Sequence, residues 1–195
     1  VKLVQDLDYS VTYLSNKNVG TAKVVICGKG VYTNSLTKTF TIRPETMASA
    51  VITGCKAKYS YTGKQVKPLI QVVWNGKILR NNTDYTLLYK NNKKRGSAGI
   101  VVTGKGNYSG TLVASFTIVR ASVKKASVTG LKAVYARTGK AVKPKVTVKL
   151  GGKKLKKKRD YILSYRKNKK KGTALLYVKG VGNYSGTKKM KFKIR

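Results

Sequence analysis

The sequence predicts an all-β chain of tandem small antiparallel β-sandwich domains, and three observations carry that expectation. One stretch occurs three times, at 8–42, 84–118 and 160–194, with a constant offset of 76 residues and no insertion or deletion. A fixed period of this size marks an array of small domains. Within each copy, apolar and polar residues alternate with a period of two, the pattern of a half-buried strand. Gly, Asn and Pro punctuate the chain at short intervals, and no segment carries a helical period.

Residues 44–119 and 120–195 are two full units, whereas 1–43 aligns with 77–119 and reads as the C-terminal part of a truncated repeat. A unit of this length is near the lower limit for a domain with its own core. In 1–43, strands are expected at 7–14, 21–27 and 35–42. Without upstream strands, the face carrying Val11, Val24 and Phe40 lacks a cover. It is expected to dock on 44–119, pair with another chain's edge, or be complemented by a further segment.

Each full unit opens with a strand region, 51–61 or 127–137. A hairpin follows, turning at Asn75-Gly76 or Gly151-Gly152, residues that supply the positive φ of a two-residue turn. Pro68 and Pro144 precede its first strand. The next strand alternates Tyr85, Leu87 and Tyr89, or Tyr161, Leu163 and Tyr165, with outward residues. After the repeated Gly96 or Gly172, the inward set is Ala98, Ile100 and Val102, or Ala174, Leu176 and Val178. The last strand turns Phe116 and Ile118, or Met190, Phe192 and Ile194, inward, and leaves Lys189, Lys191 and Lys193 outward. Six or seven short strands per unit fit a small antiparallel sandwich. Strand order is not legible here, which leaves a grasp-like or barrel-like arrangement open. The connecting stretches 43–50 and 119–126 share their spacing and contain little Gly, so a repeated rotation in an extended array is expected.

The repeated motifs are long. They comprise Y-x-G-K-x-V-K-P at 61–68, [NG]-G-K-x-L at 75–79 and 151–155, and D-Y-x-L-x-Y-x-x-N at 84–92 and 160–168. After them come G-[ST]-A at 96–98 and 172–174, then G-x-G-N-Y-S-G-T at 104–111 and 180–187. This signature resembles the Ig-like repeats of large surface proteins from Gram-positive, often gut-dwelling, bacteria. The resemblance spans essentially the whole chain. It implies an Ig-like fold and a secreted or cell-wall-associated, extracellular location, with tandem domains acting as stalk, adhesin or binding modules. It carries no enzymatic activity. Some proteins built this way bind host proteins, immunoglobulins among them.

Charge is graded along the repeat. The chain has 43 Lys+Arg, 5 Asp+Glu and no His. Residues 1–43 carry a net +4, 44–119 a net +9 and 120–195 a net +25. The scaffold is therefore generic and the surface of the last unit specialised. The two cysteines, Cys27 and Cys55, are not repeated at equivalent positions, so two reduced thiols are expected rather than a bridge between them. No stretch approaches the roughly 18 apolar residues of a membrane helix.

Catalysis finds little material. Without His there is no imidazole base, and the commonest metal ligand is missing, so no cofactor or metal is expected. Asp84 and Asp160 recur, but glycoside hydrolysis needs a second carboxylate, and no other acid repeats. An Asp accepting hydrogen bonds from a turn at a strand start explains them better. The 104–111 segment superficially suggests a phosphate-binding loop, yet it lacks the Lys before Thr and joins two strands. It is expected to hold the fold, with Tyr108 and Tyr184 packing across a corner of the sandwich.

Two kinds of binding residue stand out. Trp74, whose equivalent is Leu150, and Tyr61, whose equivalent is Arg137, are candidate protein-partner contacts, with core filling or edge packing the stronger reading for Trp74. The basic runs are Lys153, Lys154, Lys156, Lys157, Lys158 and Arg159, then Arg166, Lys167, Lys169, Lys170 and Lys171. A solvated surface that blocks edge pairing would explain some of this charge. The middle unit manages the same loops with far fewer, so a polyanion-binding surface, completed by Lys189, Lys191 and Lys193, is the favoured reading. Three functions follow for a non-enzymatic protein. The first is a surface repeat protein whose last domain clings to anionic cell-wall polymer. The second is a host-protein binder, with an immunoglobulin or matrix glycoprotein as target. The third, nucleic-acid binding, is expected only as a nonspecific by-product of charge at low salt.

Overall fold

The computed structural model describes all residues, Val1–Arg195. Its regular elements are strands, apart from one 3-10 turn at Val123–Lys125. By internal contacts the chain forms two compact units. One comprises Val1–Cys55, Leu69–Tyr89 and Ile100–Ala114, and the other Lys56–Pro68, Lys90–Gly99 and Ser115–Arg195. The division runs through the middle repeat.

In the first unit, Tyr9–Leu14, Gly20–Gly28 and Ser35–Ile42 form an antiparallel sheet in chain order. A second antiparallel sheet places Gln71–Trp74 between Val51–Thr53 and Lys77–Leu79. The other unit repeats that sheet with Ser127–Thr129, Thr147–Leu150 and Lys153–Lys154. It also contains a four-stranded sheet in the order Val134–Tyr135, Thr187–Ile194, Gly172–Gly180 and Tyr161–Arg166. The middle repeat has the same four strands in the same order: Lys58–Ser60, Thr111–Val119, Gly96–Gly104 and Tyr85–Lys90. In the last repeat, Val148 and Leu150 of the three-stranded sheet pack with Tyr161 and Val178 of the four-stranded one, and Phe192, Leu176 and Ile194 extend the core. The inward sets expected from alternation are the less exposed ones: Ile100, Val102, Leu176 and Val178 are fully buried, while Leu87, Tyr89, Leu163, Tyr165 and Met190 are half-buried.

The sheets are not wholly antiparallel, which corrects the expectation from alternation. Lys58–Ser60 pairs in parallel with the 117–119 end of the last strand, and Val134–Tyr135 does the same with 193–194. The opening strand region switches sheets at Gly54 or Gly130, both with positive φ, and continues beside the last strand. The linkers are more than connectors. Glu45–Thr46 pairs in parallel with Tyr108–Ser109, and Ala121–Ser122 with Tyr184–Ser185. Each pairing seats one apolar residue, Met47 or Val123, fully inside the fold.

The repeated polar residues are fastening points. Asp8, Asp84 and Asp160 each accept from the backbone N–H four residues upstream, of Val4, Arg80 and Lys156, at 2.8 Å. Their own N–H groups donate to the carbonyls of the same three residues. Asn92 and Asn168 donate through Nδ2 to Val66 and Val142, which return a backbone N–H at 2.7 Å. The motifs at 61–68 and 84–92 are therefore two halves of one contact.

In 1–43 the strands form as expected, but the cover is incomplete. Val11 and Val24 are half-buried and Phe40 remains 40% exposed, whereas its equivalents Phe116 and Phe192 are buried. One end is tied down: Val19 N–H donates to Asn107 Oδ1, and Asn107 Nδ2 donates to Asn18.

Gly104 and Gly180 lie where the 104–111 and 180–187 loops fold back. A Cβ on Gly104 would sit 2.8 Å from the backbone of Tyr108 and Ser109, and one on Gly180 would sit 2.7 Å from Ser185. Backbone on both sides leaves nothing flexible to move. Gly104→Ala should therefore destabilise the chain by about 1–3 kcal/mol, the usual range for overpacking, measurable by chemical denaturation. An unchanged midpoint would show that the loop is not a fastening element.

Candidate functional site

Polar residues in strand positions must point away from the core, and the last repeat fills those positions with cations. Along Thr187–Ile194, Phe192 and Ile194 are buried while Lys189, Lys191 and Lys193 are exposed. The neighbouring strand turns Ala174, Leu176 and Val178 inward, and Tyr177 and Lys179 outward. Cross-strand register sets Lys189 opposite Tyr177, Lys191 opposite Leu175, and Lys193 opposite Thr173. On the other side of the same strand, Arg166 stands opposite Leu175 and Ser164 opposite Tyr177. The Arg166 guanidinium lies over the Tyr177 ring, 5.9 Å from its centroid.

The two loop runs occupy opposite ends of the Tyr161–Arg166 strand. Lys167, Lys169, Lys170 and Lys171 form the hairpin after it, adjoining the end of the sheet where Thr173 pairs with Lys193. Lys153, Lys154, Lys156, Lys157, Lys158 and Arg159 lead into its start. All of these side chains are exposed. Arg159 differs from the rest, because its Nε and Nη2 donate to both Asp160 oxygens at 2.9 Å. That fork, with the Lys156 N–H and the nearby Lys153 charge, holds the Asp160 carboxyl below its ordinary value. The carboxylate thus serves the turn and the guanidinium together.

Two of these lysines stand where the backbone disfavours them. Lys158 has φ 71° and Lys167 φ 54°, both in the left-handed region. The equivalent residues in the other repeats are Asp6 and Asn82, and Ser15 and Asn91, all at positive φ. Short polar residues tolerate this conformation, whereas a long side chain there is strained by roughly 1–2 kcal/mol. At these two turns charge has taken precedence over backbone preference.

The aromatic candidates are half-buried, each packed edge-on against a tyrosine of the fold. Trp74 is half-buried, its Nε1 donating to the Thr46 carbonyl at 3.0 Å and its ring meeting Tyr108 edge-on at 5.5 Å. In the last repeat the equivalent Leu150 is too small for that contact, and Tyr61 supplies the ring instead. It meets Tyr184 edge-on at 5.7 Å, with Lys153 Nζ 5.9 Å from its centroid. An open cleft of about 590 Å³ lies beside Tyr61, Leu150 and Tyr184. Tyr108 and Tyr184 are both buried. Cys27 and Cys55 are not bridged.

Two members of the surface had not been singled out from the sequence: Tyr177 and Lys179. Alternation alone places both in the outward set, but Tyr177 is masked among tyrosines that pack inward. Lys188, by contrast, sends its ammonium back to the Ala126 carbonyl at 2.6 Å.

No protein-family model matches the chain, and no curated protein matches it. No helix is long and apolar enough to cross a membrane.

Lys158→Asn and Lys167→Asn, each restoring the residue of the middle repeat, should raise stability by about 0.5–1 kcal/mol by relieving the left-handed strain. The same changes should weaken binding to polyanions. Thermal melts and a binding titration on one preparation read both, and a loss of stability would refute the assigned strain.

Proposed function

We propose that this is a non-enzymatic bacterial cell-surface protein, secreted or wall-associated, whose tandem Ig-like domains act as spacer or adhesive modules. Its last domain binds the anionic polymer of the cell wall. The observation that carries the reading is the one-sided charge of the last repeat. The same backbone, with the same strand order, presents a net +9 in 44–119 and a net +25 in 120–195. The excess sits on outward strand positions and in hairpin loops, two of its lysines at strained turn positions. Three strands in one sheet and four in the other equal the seven of a constant-type Ig sandwich, which supports the Ig-like reading. Nonspecific nucleic-acid binding at low salt accompanies such a charge.

The full chain should bind purified anionic wall polymer with an affinity that falls steeply as salt rises. Replacing Lys156, Lys157, Lys158, Lys169, Lys170 and Lys171 together with Gln should weaken binding by at least about tenfold, since each phosphate contact contributes a salt-dependent increment. The fold should persist, because exposed charges contribute little to stability. Replacing Lys58, Lys64, Lys77, Lys90, Lys93 and Lys94 in the middle repeat should weaken it less. Equal losses, or binding indifferent to salt, would refute the assignment.

A second reading, a host-protein contact on the middle repeat, has its own observation. There the outward positions equivalent to Ser164, Tyr177 and Lys189 are Leu88, Val101 and Val113, and Leu88 and Val113 are 56% and 72% exposed. An exposed apolar row on a sheet face with fewer cations than its counterpart suits a protein partner such as an immunoglobulin or matrix glycoprotein. Leu88→Ser with Val113→Ser should abolish capture of such a protein from serum while leaving polymer binding unchanged. Capture that survives both changes would remove this face from consideration.

A further inference from the structure

We infer that the outer face of the last repeat's four-stranded sheet is the principal binding surface, and that its ligand is an extended, linear polyanion with phosphates in its backbone, lying along the strands. This inference rests on the polyanion reading above and narrows it. Lys189, Lys191 and Lys193 project from alternate residues of one strand, so their charges repeat about every 6.6–6.8 Å. Lys179 on the adjacent Gly172–Gly180 strand and Arg166 on the strand beyond it extend the cationic face to one side of this column, and none of the outward residues of these three strands is acidic. At one end the face runs into the hairpin carrying Lys169, Lys170 and Lys171, which prolongs the same cationic track. The turn at 153–159 lies at the other end of the Tyr161–Arg166 strand, and Arg159 there is already engaged by Asp160.

Comparison within the chain separates function from fold. The middle repeat keeps the inward positions of this sheet apolar and replaces the outward column with Val113, Ser115 and Thr117, and Lys179 with Thr103. The sheet therefore forms without the lysines, and their presence has no folding role to explain it.

The face is a sheet surface rather than a groove, and lysine ammoniums act as hydrated point charges instead of shaped forks. Such a surface recognises charge spacing along a chain, not the outline of one group. Proteins that hold single-stranded nucleic acid interleave several aromatics as stacking platforms. Tyr177 is the one aromatic outward on these strands, and the Arg166 guanidinium already lies over its ring. A polymer with backbone phosphates and no bases fits better. Inorganic polyphosphate and a polyol-phosphate wall polymer share that chemistry.

The test uses the full chain with three probes: inorganic polyphosphate, purified wall polymer and oligo-dT, each titrated at several salt concentrations. Replacing Lys189, Lys191 and Lys193 with Gln should weaken polyphosphate binding roughly tenfold and lower the slope of log affinity against log salt by about 2, at about 0.7 per lost contact. Replacing Lys156, Lys157 and Lys158 removes the same charge and should weaken it less than about threefold. The corresponding triple replacement with Arg keeps the charges and should retain binding, which separates charge loss from misfolding. Equal losses from the two Gln triples would overturn the face while leaving a diffuse polyanion surface standing. Failure of the unaltered chain to bind either phosphate polymer would overturn the polyanion reading itself. Oligo-dT binding tighter than polyphosphate and lost on Tyr177→Leu would identify a base-stacking site and sink the inference. Wall polymer bound more tightly than polyphosphate of equal charge would favour the polyol-phosphate source.

Discussion

The structure hangs on one residue per repeat, the aspartate that precedes the Tyr9, Tyr85 and Tyr161 strands. Its carboxylate accepts the N–H of the residue four positions upstream, and its own N–H returns to that residue's carbonyl. Its carbonyl accepts from Lys29, Lys105 or Val181, the residue after the glycine that ends the long strand. One residue thus ties an incoming turn, a strand start and the corner loop. Asp84 and Asp160 are buried, so losing the carboxylate would leave backbone donors unsatisfied in a poorly hydrated place. That is a physical reason for the recurrence of an acid in a chain that otherwise almost excludes them.

With the turns, the corner loop and the 61–68 segment fastened by Asp, Gly and Asn, the outward positions are left without structural duty. This is why the solvent faces of two repeats with the same strand order can diverge so far. Val113, Ser115 and Thr117 in one and Lys189, Lys191 and Lys193 in the other stand on equivalent backbone. Lys158 and Lys167 go further, because there the charge opposes the local backbone preference instead of occupying a neutral position.

Period-two alternation located the inward sets because each residue there has one neighbour face to satisfy. The aspartate's role was legible for a similar reason, since a lone recurring acid before a strand has a local turn to serve. Met47 and Val123 were not legible as core residues. They lie in two-residue pairings too short to show alternation, and their burial depends on a loop more than 60 residues away in sequence. Parallel pairing of 58–60 with 117–119 was hidden for the same reason, since sheet order is a tertiary property. Tyr61, a candidate partner contact in the sequence, occupies the place against Tyr184 that Trp74 fills against Tyr108 one repeat earlier. That substitution in space leaves no mark in either local sequence. Of the charged surface, the lysine runs and the Lys189, Lys191 and Lys193 column were legible, whereas Tyr177 and Lys179 on the adjacent strand were not. What the sequence left open was sheet order: the two lysine runs flank one strand by chain order alone, but only the pairing shows that the second run adjoins the end of the lysine column.

The lysine column also has an electrostatic consequence. Its neighbouring charges are about 6.6–6.8 Å apart, within the roughly 8 Å screening length at physiological ionic strength. They therefore repel one another across a face that contains no acid to offset them. The sheet tolerates this because its stability resides on the opposite side, in Leu176, Val178, Phe192 and Ile194. A polyanion laid on the column would replace that repulsion with attraction and release its own counterions in the same step. The repulsion of like charges in the free protein and the proposed affinity for an extended anion would thus share one origin. The middle repeat has a neutral column, Val113, Ser115 and Thr117, at the equivalent positions.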